Sequence, residues 1–193
     1  ITDLGVYHPS SGLWYIRNST TGTDTVAGFG GTGYQPVRGD FDGDGRTDLA
    51  VFHASTGLWF IKNSSNGSVA SIGYGSAGYL PVPADYDGDG TTDIAVYPPS
   101  GLWYVRNSST LATTATGFGG SGYQPVRGDF DGDGMTDLAV FHPGGGLWVL
   151  RYSSTTAVVS GGYGGGGYTP VPRKDDAGGL TGGALDHEAS RPW

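Results

Sequence analysis

The 193-residue chain carries 10 basic and 18 acidic residues, a formal charge of −8, with 38 glycines and no cysteine. That balance excludes a basic face for nucleic acid, and the missing cysteines exclude disulfides and thiol chemistry while leaving the redox compartment open. No apolar run is long enough for a membrane-spanning helix.

In chain order, the first element is Ile1-Thr2-Asp3-Leu4-Gly5-Val6-Tyr7, which matches residues 46–52 and so enters partway through a repeat. Three tracks then recur. Trp14, Trp59, Trp103 and Trp148 each sit in G-L-W, at intervals of 45, 44 and 45 residues. Phe29, Tyr74, Phe118 and Tyr163 each sit in G-[FY]-G, and Tyr34, Tyr79, Tyr123 and Tyr168 each stand two residues before a Pro-Val pair. The spacing predicts units at about 1–33, 34–78, 79–122 and 123–167, then a closing strand at 168–172.

Each unit reads as four short strands divided by turn residues. In the third unit these are 79–86, 93–97, 102–106 and 112–118. Within 102–106, Leu102, Tyr104 and Arg106 share one face, while Trp103 and Val105 take the other. Three strands in the first unit, four in each of the others and one closing strand make sixteen. The predicted fold is all-β: a β-propeller of four-stranded blades of about 45 residues, four of them in this chain. The last strand either completes the first blade and closes the ring, or the chain is part of a larger ring. Repeats cover 1–176, and 177–193 read as a flexible tail. At the seam, Lys174 and Gly178 replace the first and third acidic positions of the loop described next, so that loop is expected to hold no ion. The chain starts without Met and shows no signal peptide, which reads as a processed or excised piece.

Between the first and second predicted strands of three units stands D-x-D-G-D-G-x-T-D, at 40–48, 85–93 and 129–137. Twelve of the 18 acidic residues lie in these loops. Four carboxylates in nine residues repel one another unless a hard cation sits among them. Oxygens at positions 1, 3, 5 and 9, with a backbone carbonyl near 7, suit Ca²⁺. The glycines at positions 4 and 6 let the chain curl back on itself. An EF-hand is excluded, since position 12 is Val51, Val96 or Val140 where that loop needs Glu, and strand sequence follows.

The loop followed by L-A-V-F resembles the FG-GAP/VCBS class of calcium-binding repeat, to which the integrin α-subunit propeller belongs, over roughly 1–176. The resemblance implies about three Ca²⁺ ions, each held in the hairpin between a blade's first two strands. The implied ligands are Asp40, Asp42, Asp44 and Asp48 with the Arg46 carbonyl; Asp85, Asp87, Asp89 and Asp93 with that of Thr91; and Asp129, Asp131, Asp133 and Asp137 with that of Met135. The class includes adhesion proteins, lectins and noncatalytic parts of enzymes. The expected function is a secreted or cell-surface, calcium-stabilised binding or scaffold module for glycans or extracellular proteins, with enzyme activity and homo-oligomers both left open. The alternative is the propeller part, catalytic or not, of a polysaccharide-degrading enzyme.

Arg17, Lys62, Arg106 and Arg151 each follow a repeated Trp by three residues, which suggests a sugar-stacking face beside a cation. The other reading packs each Trp between blades. Arg38-Gly39-Asp40 and Arg127-Gly128-Asp129 spell an adhesion tripeptide, but each Asp opens an acidic loop. The N-x-[ST] sequons at Asn18, Asn63, Asn66 and Asn107 coincide with turns. His8, His53 and His142 recur, but Pro98 takes the place in the third unit, which speaks against shared catalysis.

Overall fold

The computed structural model describes residues 3–171, and its regular elements are fifteen β-strands, with no helix among the described residues. No helix there is long and apolar enough to cross a membrane. The chain divides into two compact units, Ile1–Gly117 and Phe118–Trp193. The first unit holds three sheets. A three-stranded sheet comprises β1 (Leu4–His8), β2 (Leu13–Arg17) and β3 (Asp24–Gly28). The next comprises β4 (Tyr34–Val37), β5 (Leu49–His53), β6 (Leu58–Lys62) and β7 (Val69–Gly73), and the third β8 (Leu80–Pro81), β9 (Ile94–Tyr97), β10 (Leu102–Arg106) and β11 (Thr113–Gly117). The second unit holds β12 (Gln124–Val126), β13 (Leu138–His142), β14 (Leu147–Arg151) and β15 (Val158–Gly162). Each sheet is an antiparallel meander in sequence order, paired one-to-one as in Phe52↔Trp59 and Phe141↔Trp148.

The strand predicted at 79–86 shrinks to Leu80–Pro81 plus an isolated bridge from Ala84 to Asp93. Pro81 stays paired with Val96, but Pro83, with no N–H to give, interrupts the ladder beyond it. The strand predicted at 168–172 is not formed over 168–171, and Pro172 lies outside the described residues. The seam loop at 173–179, with Lys174 and Gly178, and the tail at 177–193 also lie outside them, as do Ile1 and Thr2. Fifteen of the sixteen expected strands are therefore present among the described residues.

Burial is concentrated in the middle strands. In the first unit Val37, Ala50, Phe52, Trp59 and Ile61 pack with Ile94 and Val96 of the next sheet into one cluster, so two sheets share a core. In the second unit Val126, Ala139, Phe141 and Leu150 form the cluster, with Phe130, Trp148 and Tyr152 against it. The outer strands β3, β7, β11 and β15 are mostly exposed. Each repeated Trp lies beside the aromatic residue paired to it, with ring centroids 5.1 Å apart for Phe52–Trp59 and 5.2 Å for Tyr97–Trp103. The glycine before it is obligatory: Gly57 has φ 74°, and a Cβ there would lie 2.3 Å from the Gly75 carbonyl carbon. No side chain fits so close to backbone.

Candidate metal centre

The three acidic loops connect β4 to β5, β8 to β9 and β12 to β13, and fold alike. The first aspartate caps its own turn, because short carboxylates reach backbone N–H groups a few residues on. Asp40 accepts from Gly43 N at 2.7 Å and Gly45 N at 2.8 Å. Asp85 accepts from Gly88 and Gly90 at 2.7 and 2.8 Å, and Asp129 from Gly132 and Gly134 at 2.6 and 3.0 Å. The Asp40 and Asp129 carboxylates are thereby turned into their own loops rather than displayed as an adhesion tripeptide.

The ninth position lies inside. Asp48, Asp93 and Asp137 are the buried polar residues among otherwise apolar neighbours. One oxygen of each accepts from the N–H at loop position 2, of Phe41, Tyr86 or Phe130, at 2.8, 2.8 and 2.7 Å. The other accepts from Ser64, Ser108 or Ser153 N at 2.7 Å in each case. These serines stand in the turn between the third and fourth strands and also hold the fifth position. Their hydroxyls donate to Asp44, Asp89 and Asp133 at 2.9, 2.9 and 2.7 Å. The following Ser65, Ser109 and Ser154 hydroxyls donate to Asp42, Asp87 and Asp131 at position 3. This serine clamp is the part of the site the sequence reading missed. Its signal is a Ser-Ser pair after each third strand that meets an acidic loop; two of the three pairs, Ser64-Ser65 and Ser108-Ser109, are read there only as part of glycosylation sequons.

Positions 1, 3 and 9 converge. Asp40, Asp42 and Asp48 bring one oxygen each within 4.8 Å of one another, as do Asp85, Asp87 and Asp93, and Asp129, Asp131 and Asp137. Asp44, Asp89 and Asp133, expected as ligands too, lie outside these triads and face the serine hydroxyls. Arg46, Thr91 and Met135 give their N–H groups to those same fifth-position carboxylates, at 2.9, 2.7 and 2.8 Å. Three carboxylates so close favour a divalent cation, and two observations fit one. Asp87 Oδ1 is a buried oxygen with no hydrogen-bond partner, which is costly unless an ion or water meets it. Burial also raises the carboxyls of Asp93 and Asp137 above their ordinary value, against the pull of the N–H groups from Ser108 and Tyr86 and from Ser153 and Phe130. A cation would reverse that tendency by favouring the charged form. Asp42, only partly buried, is held low mainly by the Ser65 hydroxyl.

The sugar-stacking constellation does not assemble. Trp59 and Trp103 have no exposed surface, so no ring can stack on them. Trp14 and Trp148 are partly buried, and their indole N–H groups donate to the Phe29 and Tyr163 carbonyls at 2.8 and 3.1 Å. Residues three apart on a strand also point to opposite faces. Arg17, Lys62, Arg106 and Arg151 therefore leave the sheet on the side away from each Trp, and Arg17 pairs with exposed Asp24 at 2.7 Å. The packing reading of these indoles is the one the burial favours. The recurring histidines brace turns: His53 and His142 meet Tyr34 and Tyr123 edge-on, at centroid distances of 4.6 and 5.0 Å.

Antiparallel four-stranded meanders, each opening on an acidic loop clamped from a second turn, define a class of all-β repeat protein with candidate cation sites between strands. A model of the FG-GAP-like repeat matches residues 40–96 and again 85–140, together just over half of the chain. The chain belongs to the FG-GAP-like repeat family. No curated protein and no solved structure matches it.

Proposed function

We propose that the chain is a calcium-stabilised β-propeller module, its four sheets serving as blades, that acts outside the cell as a binding or scaffold surface for a glycan or protein. The observation that carries the reading is the threefold Asp triad on a serine clamp. When bound, Ca²⁺ supplies the positive charge that lets the carboxylates stay ionised side by side. Carboxylate and carbonyl oxygens suit it better than a softer metal. The protein's own residues do the positioning: Asp40, Asp85 and Asp129 curl the loop, the serines aim positions 3 and 5, and buried Asp48, Asp93 and Asp137 anchor it to the second strand. Millimolar Ca²⁺ is found outside cells, which supports export. The aromatic residue at position 2 ties the loop to the core, as Phe41 meets Trp59 edge-on at 6.5 Å and Phe130 meets Trp148 at 6.4 Å. Ion binding is thus linked to packing of the blade, a structural role.

The test combines calorimetric calcium titration with a glycan array and a reducing-end assay on polysaccharides. Calcium uptake with glycan or protein binding and no turnover supports the reading. Release of reducing ends would replace it with the enzyme reading, and an absence of calcium uptake up to millimolar concentration would remove its basis.

A further inference from the structure

We infer that Thr92 couples the first two metal loops, so that occupancy of the 85–93 loop raises the calcium affinity of the 40–48 loop. The inference rests on the calcium reading above and adds a dependence between sites. Threonine stands at loop position 8 of every copy, as Thr47, Thr92 and Thr136, and has no part in the ligand set. Both loops concerned lie in the same compact unit.

The geometry at Thr92 is a two-point bracket on a residue of the neighbouring loop. Asp40 N donates to Thr92 Oγ1 at 3.0 Å, and Thr92 N donates to Asp40 O at 2.6 Å. The loops also press together on either side. A Cβ on Gly39 would stand 2.7 Å from Thr92 Cγ2, and one on Gly43 would stand 3.0 Å from Thr91 Oγ1. Glycine at 39 is what lets the two backbones approach this closely.

Asp40 is a member of its own triad and the residue that curls its loop through Gly43 and Gly45. On the other side, Thr92 lies between Thr91, whose carbonyl is the expected ligand, and Asp93, a member of the second triad. Ion capture that fixes Thr91 and Asp93 therefore fixes the bracket, and the bracket fixes the backbone of Asp40. Part of the ordering that the first loop needs is then complete before its own ion arrives. By linkage the effect is reciprocal, with each ion raising the affinity for the other by the same factor. Couplings of this kind change affinity by about 5-fold or more. Thr92 is thus a positioning residue, acting on the ion through Asp40.

The test is a double-mutant cycle on the full chain, read by calorimetric Ca²⁺ titration in an Asp131→Asn background that silences the third triad. Asp87→Asn, which removes a ligand of the second triad, is expected to weaken binding at the first by about 5-fold. In a Thr92→Val background, which keeps the backbone bond to the Asp40 carbonyl and loses the hydroxyl bond, the same change should weaken the first site by clearly less, and Thr92→Ser should restore the full dependence through its hydroxyl. Far-UV circular dichroism and melting curves confirm that each variant is folded. A first-site affinity that ignores Asp87→Asn in the presence of Thr92 overturns the coupling while leaving calcium binding intact. A dependence that is undiminished in Thr92→Val overturns the route through the Thr92 hydroxyl. No calcium uptake by the parent chain removes the calcium reading and the coupling together.

Discussion

The first two sheets run on nearly the same sequence and differ sharply in burial. Leu4, Val6 and Tyr7 of β1 correspond to Leu49, Val51 and Phe52 of β5, and both are followed by G-L-W. Yet Val6 is 67% exposed while Val51 is 1%. The difference lies in what stands beside each strand. β5 is flanked by β4 and β6 and shares a core with the next sheet, whereas among the described residues only β2 pairs with β1. Burial in such a repeat is a property of neighbours rather than of the single unit. The carboxylate at loop position 9 behaves differently. Asp3 corresponds to Asp48, and it likewise accepts from a serine of the next turn, from Ser19 N and Ser19 Oγ, both at 2.8 Å. The aspartate–serine lock belongs to the hairpin, and the rest of the acidic loop is built onto it.

Removing calcium should break this comparison most strongly, because only the sheets with acidic loops lose anything. If each site bound with a dissociation constant of roughly 10 μM, 1 mM Ca²⁺ would stabilise the chain by about 2.7 kcal/mol per site. Three sites would then give a fall in melting temperature of roughly 15 °C or more in EDTA, reversed by added Ca²⁺. Differential scanning calorimetry reads it directly, and an unchanged curve would contradict a structural role for the ion.

Next in size is the core. Trp59→Ala should cost about 3–5 kcal/mol, against no more than about 2 kcal/mol for Trp14→Ala in the half-open first sheet. Denaturant titration of both variants measures the gap, and equal losses would show that burial does not separate the sheets.

A smaller effect is expected at the clamp. Ser65→Ala removes the hydroxyl that holds Asp42 and should cost about 1 kcal/mol in stability, together with weakened Ca²⁺ binding. Ser19→Ala, on an exposed hairpin, should stay within about 0.5 kcal/mol. Chemical denaturation with and without Ca²⁺ distinguishes the two.

The smallest effect is in pH. Asp93 and Asp137 are pushed above the ordinary 3.8 chiefly by burial. In calcium-free protein the folded chain therefore keeps protons that the unfolded chain has released, and its stability falls as pH rises through the raised values. Asp42 is shifted down and gives the opposite slope, but it is less buried than they are, and solvent screens its effect. With Ca²⁺ present the main trend should reverse, since acid protonates the ligands. Melting curves from pH 3.8 upward, in EDTA and in Ca²⁺, should slope in opposite directions, and parallel curves would count against the buried carboxylates as ligands.

The acidic loops and the Trp stripe are legible in the sequence because each repeats at 44 or 45 residues and carries its chemistry in consecutive positions. The strand edges are nearly as plain where no proline intervenes, as in Leu102–Arg106. The serine clamp is harder to see, since Ser64 and Ser65 lie 16 and 23 residues from the aspartates they hold, on a different turn. The pairing of each Trp with the cation three residues on fails for the opposite reason. Residues close in sequence are separated by the sheet itself, because an odd spacing on a strand places them on opposite faces. The bracket at Thr92 joins two repeats, a relation that no single copy of the motif contains.

Calcium stoichiometry tests the central claim most directly. Crystals grown in Ca²⁺ and measured for anomalous scattering should show three peaks per chain, one between the carboxylates of each of the triads led by Asp40, Asp85 and Asp129. Density at those points without an anomalous signal, or no ion at millimolar Ca²⁺, would contradict it.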